Sequence, residues 1–372
     1  MQAGRPRSFP ADLGRRTRPP LHFGRYGCHH GRCGEVGVTT LRIVTSGGAS
    51  TIQDLGRPGY GRYGVPEAGA MDGLALRLAN RLVGNADVEA CVEFALIGGS
   101  YEATDGSCRV AVTGGDFAVT VQGRSLGAYR AIDLAPGDRL VVGQARSGVY
   151  GYLAVAGGFD VEPVLGSRSV HLRSGIGGAA LTSPVSLALR QTSLPAGTPL
   201  ALHRQFWPAS DGPVRVVWGP QDDLFTERGK ADFLRGPYRT TLQSDRMGYR
   251  LEGPPIEHAG DFNIVSDGIV LGSIQVPGNQ QPLVLLADRQ STGGYPKIAT
   301  VIASDIRHLV QRGLQVPFRF ETVSLDEADS ILRVAKSAFN DLFSRIGPIS
   351  ASDLFVSERL LGLNLIDGFV RG

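Results

Sequence analysis

Glycine is the feature that most limits what this chain can become. Fifty-one glycines and 22 prolines, together about a fifth of the 372 residues, are scattered along the whole length and form no low-complexity block. Punctuation this dense reads as turns between many short strands. From Ala90 to Gly158 the intervening segments are rich in β-branched and aromatic residues: CVEFALIGG, SYEAT, CRVAVTGG, FAVTVQG, GAYRAIDLAPGDRLVVGQA and GVYGYLAVAGG. A second series opens at PVRVVWGPQDDLF (213–225) and runs through FNIVSDGIVLGSIQVPG and QPLVLLAD to YPKIATVIAS (295–304). Such spacing is the signature of a sandwich or barrel and not of alternating strand–helix units. The expected fold is mainly β, with a few short helices.

The clearest helix is 71–83, MDGLALRLANRLV, where Met71, Leu74, Ala75, Leu78, Leu82 and Val83 share one face. Asp72 lies in its first turn and Gly84–Asn85 stops it, while Arg77, Asn80 and Arg81 point to solvent or to a site. Ahead of it, LRIVTSG reads as a short strand and residues 49–73 as a long loop, a length usually tied to function. Ser304 reads as the N-cap of a helix from Asp305 to Gln311, ending at Gly313. Residues 326–372 read as a helical tail with a Gly347–Pro348 break. Segment 135–157 also echoes 276–302, each running Pro-Gly, apolar strand, Ser/Gly turn, Tyr, second apolar strand.

The net charge of +3 comes from one end. Residues 1–36 hold seven arginines against Asp12 and Glu35, so the remainder is close to −2 and no basic nucleic-acid-binding face is implied. Residues 1–40 are read as a disordered basic extension. They contain no apolar stretch that would make a secretory signal. No apolar run reaches the roughly 18 residues of a membrane span, and a cytoplasmic protein is expected. Cys28 and Cys33 flank His29 and His30, but one CHHGRC tract lacks the second half-site that zinc needs, so no metal is assigned. Cys91 and Cys108, inside expected strands, read as buried free thiols.

Self-contained catalytic signatures are missing. No P-loop, G-x-S-x-G elbow, H-E-x-x-H or paired C-x-x-C occurs. Three dense polar–glycine clusters remain: Gln53 to Tyr60 (QDLGRPGY), Gln243 to Arg250 (QSDRMGYR) and Asp288 to Lys297 (DRQSTGGYPK). Each sets a carboxylate and a cation beside glycines that let backbone N–H groups approach a ligand. An Asp–Arg pair bracing a tight turn explains the first two equally well. The third, with Gln290, Thr292, Gly293, Gly294, Tyr295 and Lys297 together, asks more of a turn than solvent exposure requires.

These clusters carry a resemblance. TIQDLGRPGY, GVPEAGAMD, ALRLANRLVGN, QSDRMGYRLEG, SDGIVLGSIQVPGNQQPLVLLADRQSTGGYPKIATV and the ending SERLLGLNLIDG resemble the allophanate hydrolase subunit 2, or biotin-dependent carboxyltransferase-like, family. The likeness extends over about residues 41–370. It departs modestly, with Ala68-Gly69-Ala70 where the family often has Ser-Gly-Ala, and Ser291 where it often has Thr. It implies two cyclophilin-like β-barrel domains, 41–205 and 206–325, between the extension and the tail 326–372.

The resemblance also implies a partner. Members include the C subunit of ATP-dependent 5-oxoprolinase, which works with the B and A subunits to open 5-oxo-L-proline to L-glutamate. That activity is the leading expectation, with ATP (and Mg) bound in the complex. The alternatives are a carboxyltransferase for urea or an amide, which would use biotin, and a non-catalytic partner of a kinase-inhibitor protein. For the first, Lys297, Asp288 and Asp54 are the expected catalytic residues. Gln53, Arg57, Asp245, Arg246, Gln290, Thr292, Gly293, Gly294 and Tyr295 are expected to bind substrate, with Lys297, Arg57 and Arg246 holding its carboxylate or a transferred phosphoryl group.

Overall fold

A computed structural model describes residues 39–209 and 211–349. The fold is mainly β with few helices, as the glycine spacing suggests, but the strands of the first half are long. β1 (Thr40–Gln53), β2 (Cys91–Thr104), β3 (Cys108–Val121) and β6 (Arg139–Val155) span 14 to 17 residues each. With the short β4 (Arg124–Ser125), β5 (Ala131–Leu134) and β7 (Val185–Ala188) they form an antiparallel half-barrel sheet, ordered β4-β3-β6-β2-β1-β7, with β5 also on β3. β8 (Leu200–Leu202) lies outside it.

Many of the glycines therefore sit inside strands and not between them. The register slips at Ser46/Gly48, Ala95/Ile97 and Gly114/Asp116 mark bulges that bend the long strands without ending them. Gly99 shows why the residue type is needed: its φ is +85°, and a Cβ there would lie 2.3 Å from the Thr45 carbonyl oxygen across the ladder. The same effect revises the reading of 49–73 as loop, since β1 continues through Ser50, Thr51, Ile52 and Gln53.

Side chains of this sheet alternate between two cores. Val92, Phe94, Val110, Val112, Leu153 and Val155 point into a core enclosed by the curl of the sheet. Cys91, Ala111, Tyr150, Tyr152 and Ala154 point the other way, into a core shared with the second half. Cys91 and Cys108 are free and buried, and burial raises both thiols, which keeps them protonated. α1 (Gly73–Val83) lies between the cores: Leu74 and Leu78 serve the first, Ala75, Leu76, Ala79, Leu82 and Val83 the second. Full burial of such aliphatic side chains stabilises by about 1.5–3 kcal/mol each. Asp72 is the N-cap, accepting from Leu74 N and Ala75 N, and Gly84 closes the helix in the left-handed region. Asn80 is not available to a site; it is buried and donates to the Glu89 carbonyl.

The second sheet joins β9 (Val214–Trp218), β10 (Arg239–Thr240), β11 (Gly248–Glu252), β13 (Ser273–Gln275), β14 (Leu283–Leu285), β16 (Lys297–Val301) and β17 (Phe320–Thr322) in the order β10-β11-β14-β13-β16-β9-β17. A separate two-stranded ribbon pairs β12 (Asp267–Gly268) with β15 (Thr292–Gly293). The echoed segments differ: 139–155 is one continuous strand, whereas 276–302 divides among β14, β15 and β16. A helix unforeseen in the sequence, α2 (Glu227–Arg235), packs Phe233 against Phe320 with ring centroids 4.7 Å apart. α3 (Ile306–Val310) starts one residue later than expected, with Asp305 at its N-cap; Ser304 Oγ hydrogen-bonds the Asp305 carboxylate. α4 (Leu325–Ser344) opens on a Ser324–Glu327 capping box, and β18 (Ile346–Pro348) then pairs with β8. No described helix is long and apolar enough to cross a membrane. The basic extension to residue 38, the CHHGRC tract and the ending Ser357–Gly368 lie outside the described residues.

Gly99→Ala should cost about 2 kcal/mol or more, from left-handed strain plus the carbonyl clash. Gly123, at φ +77° with open space within 4 Å of where a methyl group would sit, should lose only about 1 kcal/mol on the same change. Urea denaturation midpoints of the two variants measure the difference.

Candidate functional site

The two sheets are joined by a buried ion triad. Arg246 precedes β11 and faces β2 of the other sheet. Its Nε and Nη2 grip Asp288 Oδ2 and Oδ1 at 3.0 and 2.8 Å, its Nη1 donates to Glu93 Oε1, and Nη2 also reaches the Gly69 carbonyl at 2.6 Å. Burial alone would lower the Arg246 pKa, but Glu93 and Asp288 more than offset it and hold the guanidinium charged. Burial pushes the Glu93 carboxyl up, against the pull of Arg246 and of the Met71 and Tyr152 donors. Glu93 Oε2 accepts from Met71 N at 2.9 Å and Tyr152 Oη at 2.8 Å, and Tyr152 Oη accepts from Asp72 N at 2.7 Å. Gln311 completes the tie, donating to Asp72 Oδ2 at 3.0 Å while its carbonyl oxygen accepts from Val149 N and Tyr150 N.

The first cluster braces a turn. Asp54 accepts four hydrogen bonds, from Gly56 N, Ser167 Oγ, Arg168 N and Ser169 Oγ, at 2.6 to 2.8 Å. Arg57 is 1% exposed, and donates to the Val164 and Ser169 carbonyls. Burial lowers its pKa, an effect opposed by Asp54 and Asp288. Gln53 Nε2 donates to Thr51 Oγ1 and the Val170 carbonyl, both at 2.9 Å. These contacts hold loop 161–170 in place. Asp54, expected as a base, lies within that brace. Gln53 and Arg57, expected to touch substrate, are buried beside it, with Gln53 Oε1 and Arg57 Nη1 left without a hydrogen-bond partner among the described residues. Asp288, paired with Arg246, and Arg246 itself are likewise interior. His171 links brace and triad: its Nε2 contacts the Asp288 carbonyl at 3.3 Å, so that nitrogen carries the proton. Asp245 is exposed and accepts from Met247 N at 2.8 Å, a side chain closing its own turn.

The third cluster is different. Lys297 opens β16, and its side chain is buried while its Nζ lies 2.7 Å from Asp267 Oδ2. Gln221 donates to the same Asp267 Oδ2 at 3.1 Å, and its carbonyl oxygen accepts from Lys297 N at 3.2 Å. This clamp needs the close approach of Gly219, where a Cβ would lie 2.1 Å from the Lys297 carbonyl oxygen. Gln275 is buried beside it and donates to the Tyr295 carbonyl at 3.3 Å. Gln290, Thr292 and Tyr295 have exposed side chains, and Gly293 and Gly294 are half-buried. Among the described residues no hydrogen bond joins Lys297 to the triad. The expected site thus separates into an interior frame and an exposed rim of Gln290, Thr292 and Tyr295 beside the buried Lys297.

Sequence reasoning missed Glu93, Gln221, Asp267 and Gln275. Glu93 left a trace, a lone carboxylate within CVEFAL. The contacts of Gln221 and Asp267 cross 30 to 76 residues of chain and leave none.

In sequence and in fold the chain is similar to known proteins. Residues 63–322 match the family described as carboxyltransferase domain, subdomain A and B, and the chain belongs to that family. It is 36% identical to the C subunit of 5-oxoprolinase from Escherichia coli (strain K12) over 292 residues, 77% of this chain and 93% of that one. It is 30% identical to urea amidolyase of Saccharomyces cerevisiae over 72% of its length, but spans only 16% of that protein. The crystal structure of Kluyveromyces lactis urea amidolyase superposes with a TM-score of 0.77 at 28% identity, covering 83% of this chain and 20% of that one. The matched range is shorter than the resemblance traced from the motifs, and leaves α4 and the ending outside it.

Replacing Arg246 with Met strands two buried carboxylates and should cost about 3–5 kcal/mol, read by urea unfolding. Adding Glu93→Gln should recover part of that loss. Lys297, the Gly268 N–H and Gln221 together hold the Asp267 carboxyl at about 2. A carboxyl depressed in the fold adds stability above its unfolded value of about 4, lost as pH falls through about 2. Carboxyl NMR titration should show that midpoint, and Lys297→Met should return it toward about 4.

Proposed function

We propose that this chain is a component of an ATP-dependent 5-oxoprolinase, binding 5-oxo-L-proline for conversion to L-glutamate together with partner subunits B and A. The observation that carries this reading is a cradle built for one carboxylate oxygen, Lys297 Nζ with Gln221 Nε2, on a chain that spans 93% of the C subunit of E. coli 5-oxoprolinase. 5-Oxo-L-proline is a lactam bearing one carboxylate. Lys297 and Gln221 take that carboxylate. Gln290, Thr292 and Tyr295 line the rim and contact the ring, and the backbone at Gly293 and Gly294 admits it closely. Asp288 acts at a remove: with Arg246 and Glu93 it fixes the start of the segment that ends at Lys297.

In the complex the lactam oxygen takes the γ-phosphoryl group of the co-substrate ATP, with ADP leaving. Water then adds to that carbon, the ring C–N bond breaks with the nitrogen taking a proton, and a second water releases phosphate to leave the new carboxylate. A cytoplasmic location follows from this chemistry. ATP and Mg are placed in the complex and not in a particular subunit; this sequence holds no P-loop.

A second reading, carboxyl transfer from biotin to urea or an amide, is supported by the TM-score of 0.77 to K. lactis urea amidolyase. The small share of that enzyme this chain spans, 20%, weighs against it. Co-purification with a biotinylated protein would favour it.

With the A and B subunits reconstituted, Lys297→Met should lower 5-oxoproline-dependent ATP hydrolysis by about 100-fold or more. Activity within about twofold of the native complex would sink the assignment of Lys297.

A further inference from the structure

The Lys297–Gln221 cradle already holds a carboxylate, and it is the chain's own. Both donors converge on Asp267 Oδ2, while Asp267 Oδ1 accepts from Gly268 N at 2.7 Å. The two sides of this contact are set with unequal firmness. Lys297 is 3% exposed on β16, between β13 and β9, and Gln221 is pinned to its backbone. Asp267, by contrast, has a side chain 51% exposed and sits on segment 259–271, which holds no regular element beyond two-residue β12. Four large apolar side chains of that segment face solvent, Phe262, Val265, Val270 and Leu271, at 45, 92, 58 and 38%. It is fastened by the β12–β15 ribbon, by Ile264 N to the Gly294 carbonyl at 2.9 Å, by Ile269 N to the Ser291 carbonyl at 3.1 Å, and by Asp267. The ribbon and the Ile264 and Ile269 bonds run to the Asp288–Lys297 segment that carries the candidate site. Asp267 is held by Lys297 and by Gln221, and Ala259 N donates to the Leu224 carbonyl at the start of 259–271.

We propose that Asp267 is an internal stand-in for a ligand carboxylate: an incoming monocarboxylate replaces it on Lys297 and Gln221, and segment 261–270 is released from the site as it does so. The physical reason is the buried ammonium. Lys297 Nζ has Asp267 as its anionic partner, and leaving a buried cation unpaired is strongly unfavourable. Exchange of one carboxylate for another keeps the charge paired throughout. A neutral ligand offers no replacement and leaves the latch shut, so the device selects anionic over neutral amides. Ligand affinity is lowered by the fraction of molecules in which Asp267 holds the cradle, and removing its charge lifts that penalty. The identity of the natural carboxylate rests on the function proposed above; the latch itself does not.

The test uses the full chain and Asp267→Asn, which keeps the side-chain shape and removes the charge, with Asp267→Ala as a second variant. Calorimetric titration with 5-oxo-L-proline should show at least about fivefold tighter binding to both variants, while 2-pyrrolidinone, the same lactam without its carboxylate, should change by less than about twofold. Hydrogen–deuterium exchange at residues 262–270 should quicken in both variants. In the native chain, sodium acetate should quicken it relative to sodium chloride at equal ionic strength. Binding of 5-oxo-L-proline that is unchanged or weaker in the variants overturns the latch but leaves the proposed function standing. Failure of every form to bind 5-oxo-L-proline counts against the proposed function alone. The latch is then decided by exchange: no difference between acetate and chloride, or between native chain and variants, overturns it.

Discussion

One guanidinium holds the architecture together. Arg246 leaves the second sheet, enters the face of the first, and joins Glu93 to Asp288 in an interior that excludes water. Such a triad gains little over an apolar core of the same shape, because two carboxylates and a cation lose their hydration. Its consequence is geometric. With the triad formed, β2, the turn before β11 and the end of the β14 segment have a single relative placement. α1 is drawn into the same frame, through Met71 and Asp72 at its N-terminus.

From that frame the accessible chemistry follows. Asp288 begins the segment that ends at Lys297, so fixing one end of ten residues limits where the other can go. Arg289 adds a second tie, donating to Glu67 at 2.6 Å in the loop that follows β1. The polar groups near Asp54, Arg57 and His171 have frame duties too, which is why a site that looks threefold in sequence has one accessible patch. The same distinction separates the positions that bear on stability from those that face a ligand.

Much of this was legible in the sequence, and the failures have physical causes. α1 was readable because its cap, apolar spacing and glycine stop are all local. The motif around Lys297 was readable for the same reason. Glycines misled as to strand length, since a bulge and a turn ask for the same left-handed backbone, as Gly99 illustrates. α2 had its signals, a Thr226 cap and a Gly236–Pro237 stop, but Gly229 and its charged residues obscured the apolar face that only Phe233 and its neighbours supply. Asp54 looked like a ligand group because sequence does not reveal that Ser167 and Ser169, more than a hundred positions away, donate to its carboxylate. The Asp267 contact is non-local in the same way, and no pattern in the chain announces it.

Lys297 and Gln221 form a carboxylate cradle that Asp267 occupies until a ligand takes it, and a crystal of the chain soaked with 5-oxo-L-proline puts that exchange in view. The expected density places the ligand carboxylate within hydrogen-bond distance of Lys297 Nζ and Gln221 Nε2, with Asp267 withdrawn from both. Ligand bound elsewhere, with the Lys297–Asp267 pair intact, would contradict it.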